Sequence, residues 1–477
     1  MIFAEFTAKL SLSQILNLPR KTNFSLLLLL ALLALFLTTR LYNFSDRLGF
    51  DHDQEKAAEA AWSLIINHKP TLIGIETSTG GIFAGPLLNW SHAIFLYAFK
   101  LDPIALGYQA VMFSAFAVVL LFIFVKDISN TTQALLSVLI YIISARLISY
   151  DISASPISYI SLLSILVMYL TYNVAYLKKY FLLPFLTLSL SLGYHVHLTL
   201  LLQIPAVILI FLINKTKFTA RQIIISILTF LLPLSTYFAF EIRHNLLMTK
   251  KLSSLLFSSN HADLSKFSDT VINFLNVVTE TVIIPHRQSI TLVMLLITLS
   301  YYIRIHLNKT FVKETLIFLL TPLIGLLFYK EHIPEYYFLV SIPAALILVG
   351  NLYNGLVKRS ISIFLIFFIL VIFVNFYTPI KYFKNPFSIN LKKNIISYIK
   401  EDSQGKNISL SYEIPLPINY GFKYLSKWSK VPINNESQSI YIIEYSDLQE
   451  HSLSKYETGE KAVKLQIFEP FHVVSIK

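Results

Sequence analysis

The chain has 477 residues, 55% hydrophobic and 14% charged, with a mean hydropathy of +0.62. Soluble globular chains run to about 45–50% apolar and about 25% charged, so this composition specifies an integral membrane protein of many spans. It has no cysteine, which excludes a disulfide framework, thiolate chemistry and a thiol zinc site. The net charge of +12 invites a nucleic-acid partner, but its Lys and Arg fall mostly in short loops between apolar runs, which is the pattern of membrane orientation.

Residues 1–23 carry Lys9, Arg20 and Lys21 and read as cytoplasmic. Phe24–Thr39 is Leu-rich and lacks a small-residue cleavage site, so it is expected to be a retained first span. A polar stretch at 41–81 follows. Within it, Ala57–Ile66 has the pattern of an amphipathic surface helix, and Thr77–Gly81 that of a turn. Ile82–Phe99 is long enough to cross but is interrupted by Asn89, Ser91 and His92. If it does not cross, further spans follow near 104–125, 131–149, 156–176, 180–196, 198–213, 222–240, 288–303, 313–329, 333–352 and 361–378. One set of loops then holds Lys126, Lys178, Lys179, Lys215, Lys217, Arg221, Arg304, Lys309, Lys313, Lys358 and Arg359, on the side of the N-terminal cations. The positive-inside rule therefore predicts about eleven spans, with the N-terminus inside and the C-terminus outside. Lys381 and Lys384 run against it, at the start of a long soluble region where the rule is weak.

From 381 onward the apolar runs stop. Ile389–Ile399 and Tyr420–Trp428 read as helices, and Ile408–Tyr412, Ser439–Glu444 and Val463–Phe468 as strands. The expected organisation is a membrane domain over 1–380, with a first external loop at 41–103, and a small extracytoplasmic α/β domain over 381–477.

In that topology the unusual residues sort to one side. Asp51 and Asp53 of Gly49–Gln54, Asp151, His195 and His197, Glu241 with Arg243 and His244, and Lys330, Glu331, His332 and Glu335 all fall in external loops. The opposite loops carry mostly Lys and Arg. Ionisable groups at a membrane boundary mark functional sites by default, and their common side predicts one external cavity. Each has a plainer reading. The histidines can be satisfied boundary residues, Arg243 can snorkel, Tyr336 and Tyr337 can belong to an aromatic belt, and Asp151 can open a turn. A carboxylate beside cations at an outer membrane face suits a lipid-phosphate-linked sugar donor. The carboxylate deprotonates an acceptor hydroxyl, and Arg, Lys, His or a metal offsets charge on the departing phosphate.

The chain resembles the GT-C polyprenyl-phosphate-sugar transferases over roughly residues 22–380, and among them the bacterial family-39-like enzymes, protein O-mannosyltransferases and lipid A aminoarabinose transferases. Phe50–Gln54 (FDHDQ) matches their acidic first-loop motif in place and type, with Gln54 where the family has Glu. Gly85-Pro86-Leu87 stands where the family often has Pro-Pro-Leu. The Arg often found at the start of the second span is not evident here; Gln109 lies nearby. The resemblance implies an inverting plasma-membrane glycosyltransferase acting on an extracytoplasmic acceptor. Asp53 becomes the base or, as in some members, a divalent-metal ligand, with Asp51 its partner. Arg243, His244, Lys330, His195 and His197 hold the donor phosphate, and Asp151, Glu335 and Tyr336 the acceptor or sugar. The rival class is a transporter or lipid flippase, but the chain shows no internal repeat and its ionisable groups gather at one end of the spans, unlike a midplane transport site.

Overall fold

The computed structural model describes residues 20–77, 80–257, 264–282, 310–329, 332–362, 365, 369, 385–415, 419–445 and 463–476. The Leu-rich run forms α1 (Arg20–Leu41), and most of its leucines stay exposed, as on a helix that is apolar all round and faces lipid. After a short α2 (Phe44–Arg47) come α3 (His52–Asn67) and α4 (Leu87–Ala98). Twelve residues rise roughly 18 Å at the α-helical spacing, short of the ~30 Å hydrocarbon layer. Helix α4 is thus too short to cross, as the charge pattern predicted. Next are α5 (Ile104–Ile128), α6 (Thr131–Ile143), α7 (Ala145–Asp151) and α8 (Ile160–Ala175). The bundle continues with α9 (Leu183–Val196), α10 (Gln203–Ile213), α11 (Ala220–Arg243), α12 (Leu247–Phe257), α13 (Leu264–Val282), α14 (Thr310–Leu327) and α15 (Ile342–Arg359).

Among the described residues five helices are long and apolar enough to cross a membrane, or six if one bent pair counts as a single span. Tyr180–Val196 and Leu198–Ile213 are shorter apolar segments. The spans expected near 288–303 and most of 361–378 lie outside the described residues. The expected span at 131–149 is not one straight helix. It breaks by 71° between α6 and α7. Ser144 is extended (φ −64°, ψ 116°), and its hydroxyl accepts the Leu147 N–H, so a serine that caps α7 also ends α6. Arg40 holds the break: its guanidinium donates to the carbonyls of Tyr141 and Ile142 at the end of α6 and to Asp151 at the end of α7.

The C-terminal unit starts with α16 (Ile389–Asp402), followed by β1 (Ser409–Glu413), α17 (Phe422–Trp428), β2 (Ile440–Tyr445), β3 (Val463–Phe468) and β4 (Phe471–Ile476). The sheet order is β1-β2-β4-β3, with β1 parallel to β2 and the other pairs antiparallel. Strand β4 was not expected from the sequence. It is buried along its whole length between β2 and β3, and a central strand reads as a plain apolar run without alternation.

Candidate active site at the first loop

The sequence Gly49–Gln54 builds the start of α3. Asp51 is its N-cap residue, and its own N–H donates to Gln54 Oε1 at 3.1 Å, the backward half of a capping box. Gln54 Nε2 donates to the Ser153 carbonyl at 2.7 Å, which ties this helix start to the chain beyond α7.

The C-terminal unit clamps the same turn. Ile389 N–H donates to the Leu48 carbonyl at 2.8 Å, and Gly49 bridges to Ser388. The Lys392 ammonium, 0% exposed, donates to Phe50 O (2.9 Å), Tyr420 O (2.8 Å) and Asp51 Oδ1 (2.8 Å). Burial lowers the Lys392 pKa from the ordinary lysine value, and the Asp51 charge works against that shift. Glu55 is buried and accepts the Tyr424 N–H at 2.8 Å. Burial raises its carboxyl above the ordinary value, partly offset by the Gly421 and Tyr424 amides. Gly421 has φ +93°, and a Cβ there would sit 2.3 Å from Phe50 O, so only glycine lets the two backbones approach this closely.

This leaves the two aspartates in different states. Asp51 is both helix cap and partner of a buried cation. The Asp53 side chain is 48% exposed, and among the described residues its hydrogen bond is to His52 Nδ1 at 3.0 Å.

A second connected group draws side chains from four other elements. Arg146 of α7 pairs with Glu335 Oε2 at 2.8 Å and with Glu280 of α13. Tyr150 Oη donates to Glu335 Oε1 at 3.0 Å. The Tyr336 and Tyr337 rings meet His197 edge-on, with centroids 5.7 and 5.2 Å away. His197 Nδ1 lies 2.8 Å from the Thr199 hydroxyl and 3.4 Å from the Thr199 N–H, which donates to it. Burial holds the His197 pKa down at about 4. A histidine held this low is a neutral hydrogen-bonding group near pH 7, not a cation.

No protein-family model matches the sequence, and no curated protein matches it. Solved structures do. ArnT from Cupriavidus metallidurans in the apo state superposes with a TM-score of 0.62 at 9% identity, covering 96% of this chain and 98% of that one. ArnT from the same organism bound to undecaprenyl phosphate gives 0.59 at 10% identity, over 95% and 98%. The oligosaccharyltransferase of Archaeoglobus fulgidus in the apo form gives 0.50 at 10% identity, over 89% and 70%. The chain has the GT-C fold.

Among the described residues, the GT-C bundle brings members of all five ionisable clusters to one of its ends. Gln54 meets Ser153, Tyr150 meets Glu335, His197 meets Tyr336, Leu87 meets His195, and Phe83 meets Phe240 of α11. Sharing an end is not sharing a site, and several expected site residues stand apart. Asp151 is 2% exposed and engaged by Arg40 (2.9 Å) and Tyr141 Oη (2.9 Å), so it anchors the bent helix instead of facing a sugar. His195 is also 2% exposed, and both ring nitrogens are taken, by Leu87 N–H (3.4 Å) and the Pro233 carbonyl (3.0 Å). Arg243 is exposed at the end of α11, and His244 stacks on Phe240 with Nδ1 bonded to the Phe240 carbonyl. Among the described residues neither is hydrogen-bonded or ion-paired to the Asp53 group. Lys330 lies outside the described residues. Glu335 and Tyr336 stand in the cluster, as does His197.

Three participants were missed. His52 sits inside the quoted motif. Arg146 is a charge in an apolar run, a standing flag hidden by reading 131–149 as a plain span. Lys392 interrupts the stripe Ile389, Ile396, Ile399 of α16, a lysine on an otherwise apolar helix face. Among the described residues no three His, Asp or Glu side chains converge as a metal-ligand set, and one oxygen of Asp51, Oδ1, is held by Lys392.

Proposed function

We propose that this chain is an inverting glycosyltransferase of the plasma membrane. It moves a hexose or pentose from a polyprenyl-phosphate donor to a lipid, glycan or protein acceptor on the extracytoplasmic face. One observation carries the reading. In a GT-C fold, the helix start that carries the half-exposed Asp53 is tied through Gln54 to Ser153, beside the end of α7, and α7 in turn contacts the Glu335–Tyr336 segment and, through it, His197. The ArnT structure holding undecaprenyl phosphate supports a lipid-phosphate donor.

The chemistry follows from these side chains. The Asp53 pair accepts the proton of the acceptor hydroxyl. The hydroxyl oxygen attacks the anomeric carbon opposite the phosphate, and the carbon–oxygen bond to the phosphate breaks with inversion. Arg146 is the cation for the departing phosphate, since a guanidinium fork matches phosphate oxygens, and its release from Glu280 and Glu335 frees that fork. Neutral His197 offers a hydrogen-bonding imidazole that orients without adding charge.

The test uses purified full-length protein in vesicles with a panel of undecaprenyl-phosphate hexoses and pentoses, following release of undecaprenyl phosphate. Asp53→Asn is expected to lower turnover at least ~100-fold, the lower end of general-base contributions. Unchanged turnover removes Asp53 from the chemistry.

A further inference from the structure

The first-loop carboxylate is not alone. His52 Nδ1 lies 3.0 Å from Asp53 Oδ1, and because an ionised carboxylate only accepts, Nδ1 carries the hydrogen. Nε2, on the far side of the ring, then carries the lone pair, and among the described residues it has no hydrogen-bond partner. The ring is held in place from outside the first loop: Tyr420 of the C-terminal unit meets it edge-on at 4.5 Å and 86°. The Tyr420 carbonyl is in turn bound by the buried Lys392, which also holds Asp51. The neighbouring aspartate therefore does not compete for the imidazole. Both members of the pair stay open, with side chains 34% and 48% exposed.

A carboxylate on one imidazole nitrogen, with the other nitrogen free, is the arrangement by which a histidine accepts a proton while the carboxylate fixes its tautomer and stabilises the imidazolium. We propose that His52 is the catalytic base, with Asp53 and Tyr420 as its positioning residues. This rests on the glycosyltransferase reading above and assigns the proton within it. His52 Nε2 takes the hydroxyl proton as the acceptor oxygen bonds to the anomeric carbon. The electron pair of the breaking carbon–oxygen bond leaves with the polyprenyl phosphate. The C-terminal unit is then part of the catalytic site, because it supplies the wall that holds the base.

The experiment compares His52→Asn, His52→Ala and Asp53→Asn in full-length protein, using the same undecaprenyl-phosphate sugar panel, with undecaprenyl phosphate binding measured to show that each variant is folded. Asparagine places an amide N–H where Nδ1–H stood, so it keeps the link to Asp53 but has no proton acceptor at Nε2. The expected result is a kcat loss of at least ~100-fold in both His52 variants, an unchanged KM for the donor, and recovery of His52→Ala by added imidazole. If His52→Asn turns over within threefold of the wild type while Asp53→Asn is inactive, His52 is no base and the proposal is overturned with the glycosyltransferase reading intact. If the wild type releases undecaprenyl phosphate from no donor in the panel, that reading falls and the proposal with it.

Discussion

Replacing Lys392 by Met tests the clamp between the C-terminal unit and the first loop. The ammonium is 0% exposed and, among the described residues, donates to Asp51, Tyr420 and Phe50 at 2.8, 2.8 and 2.9 Å. Methionine fills much of the stem volume but satisfies none of them. The Asp51 side chain is 40% exposed and regains water, so its share of the loss is small. The carbonyls of Phe50 and Tyr420 remain, and an unsatisfied buried acceptor costs about 1–3 kcal/mol. With Tyr420 partly exposed, the sum is about 3 kcal/mol, or roughly a 10²-fold larger opening equilibrium. Hydrogen exchange reads this at the amides that report docking: Ile389 on Leu48, Tyr424 on Glu55 and Asn385 on Asp46. They should exchange ~100-fold faster in the variant, while the β2–β4 ladder amides keep their wild-type protection. Exchange within threefold of wild type at all three docking amides would refute the clamp.

The same interface carries a pH dependence. Burial raises the folded-state carboxyl of Glu55 above 4.5, so the folded state binds more protons than the unfolded one in the interval above that value. Its contribution to docking is fully present below about pH 4.5 and is lost as pH rises through the raised value. Glu55→Gln should flatten this slope in docking-amide exchange measured from pH 4 to 8, and an unaltered slope would assign it to another group. Asp151→Asn leaves the fully buried Arg40 without its anion, which should cost about 3–5 kcal/mol. A thermal midpoint in detergent indistinguishable from wild type would count against this role. Gly85→Ala would put a Cβ 2.0 Å from His195 Nδ1, and overpacking of this kind costs about 1–3 kcal/mol or more. The same thermal scan should show a clear fall, and an unchanged midpoint would mean the imidazole moves aside freely.

Much of this protein is written locally. Composition alone specifies the membrane class, because burying or exposing so much apolar surface in water has no soluble solution. The distribution of Lys and Arg picked out α4 as a non-crossing helix, and alternation found three of the four C-terminal strands along with both helices. The acidic motif was legible because charge is costly at a membrane boundary, and the common end of the five clusters followed from loop order. What each charged group does was not legible. Asp51 and Asp53 are two residues apart and chemically identical. One is consumed by Lys392, more than 300 residues away, and the other is left open. Asp151 and His195 looked as available as His197 until Arg40, Leu87 and Pro233 closed around them. Periodicity and composition are properties of neighbouring residues, and they fix which segments enter the bilayer. Whether a polar side chain is free is decided by partners brought from distant segments, and only the packed chain supplies those.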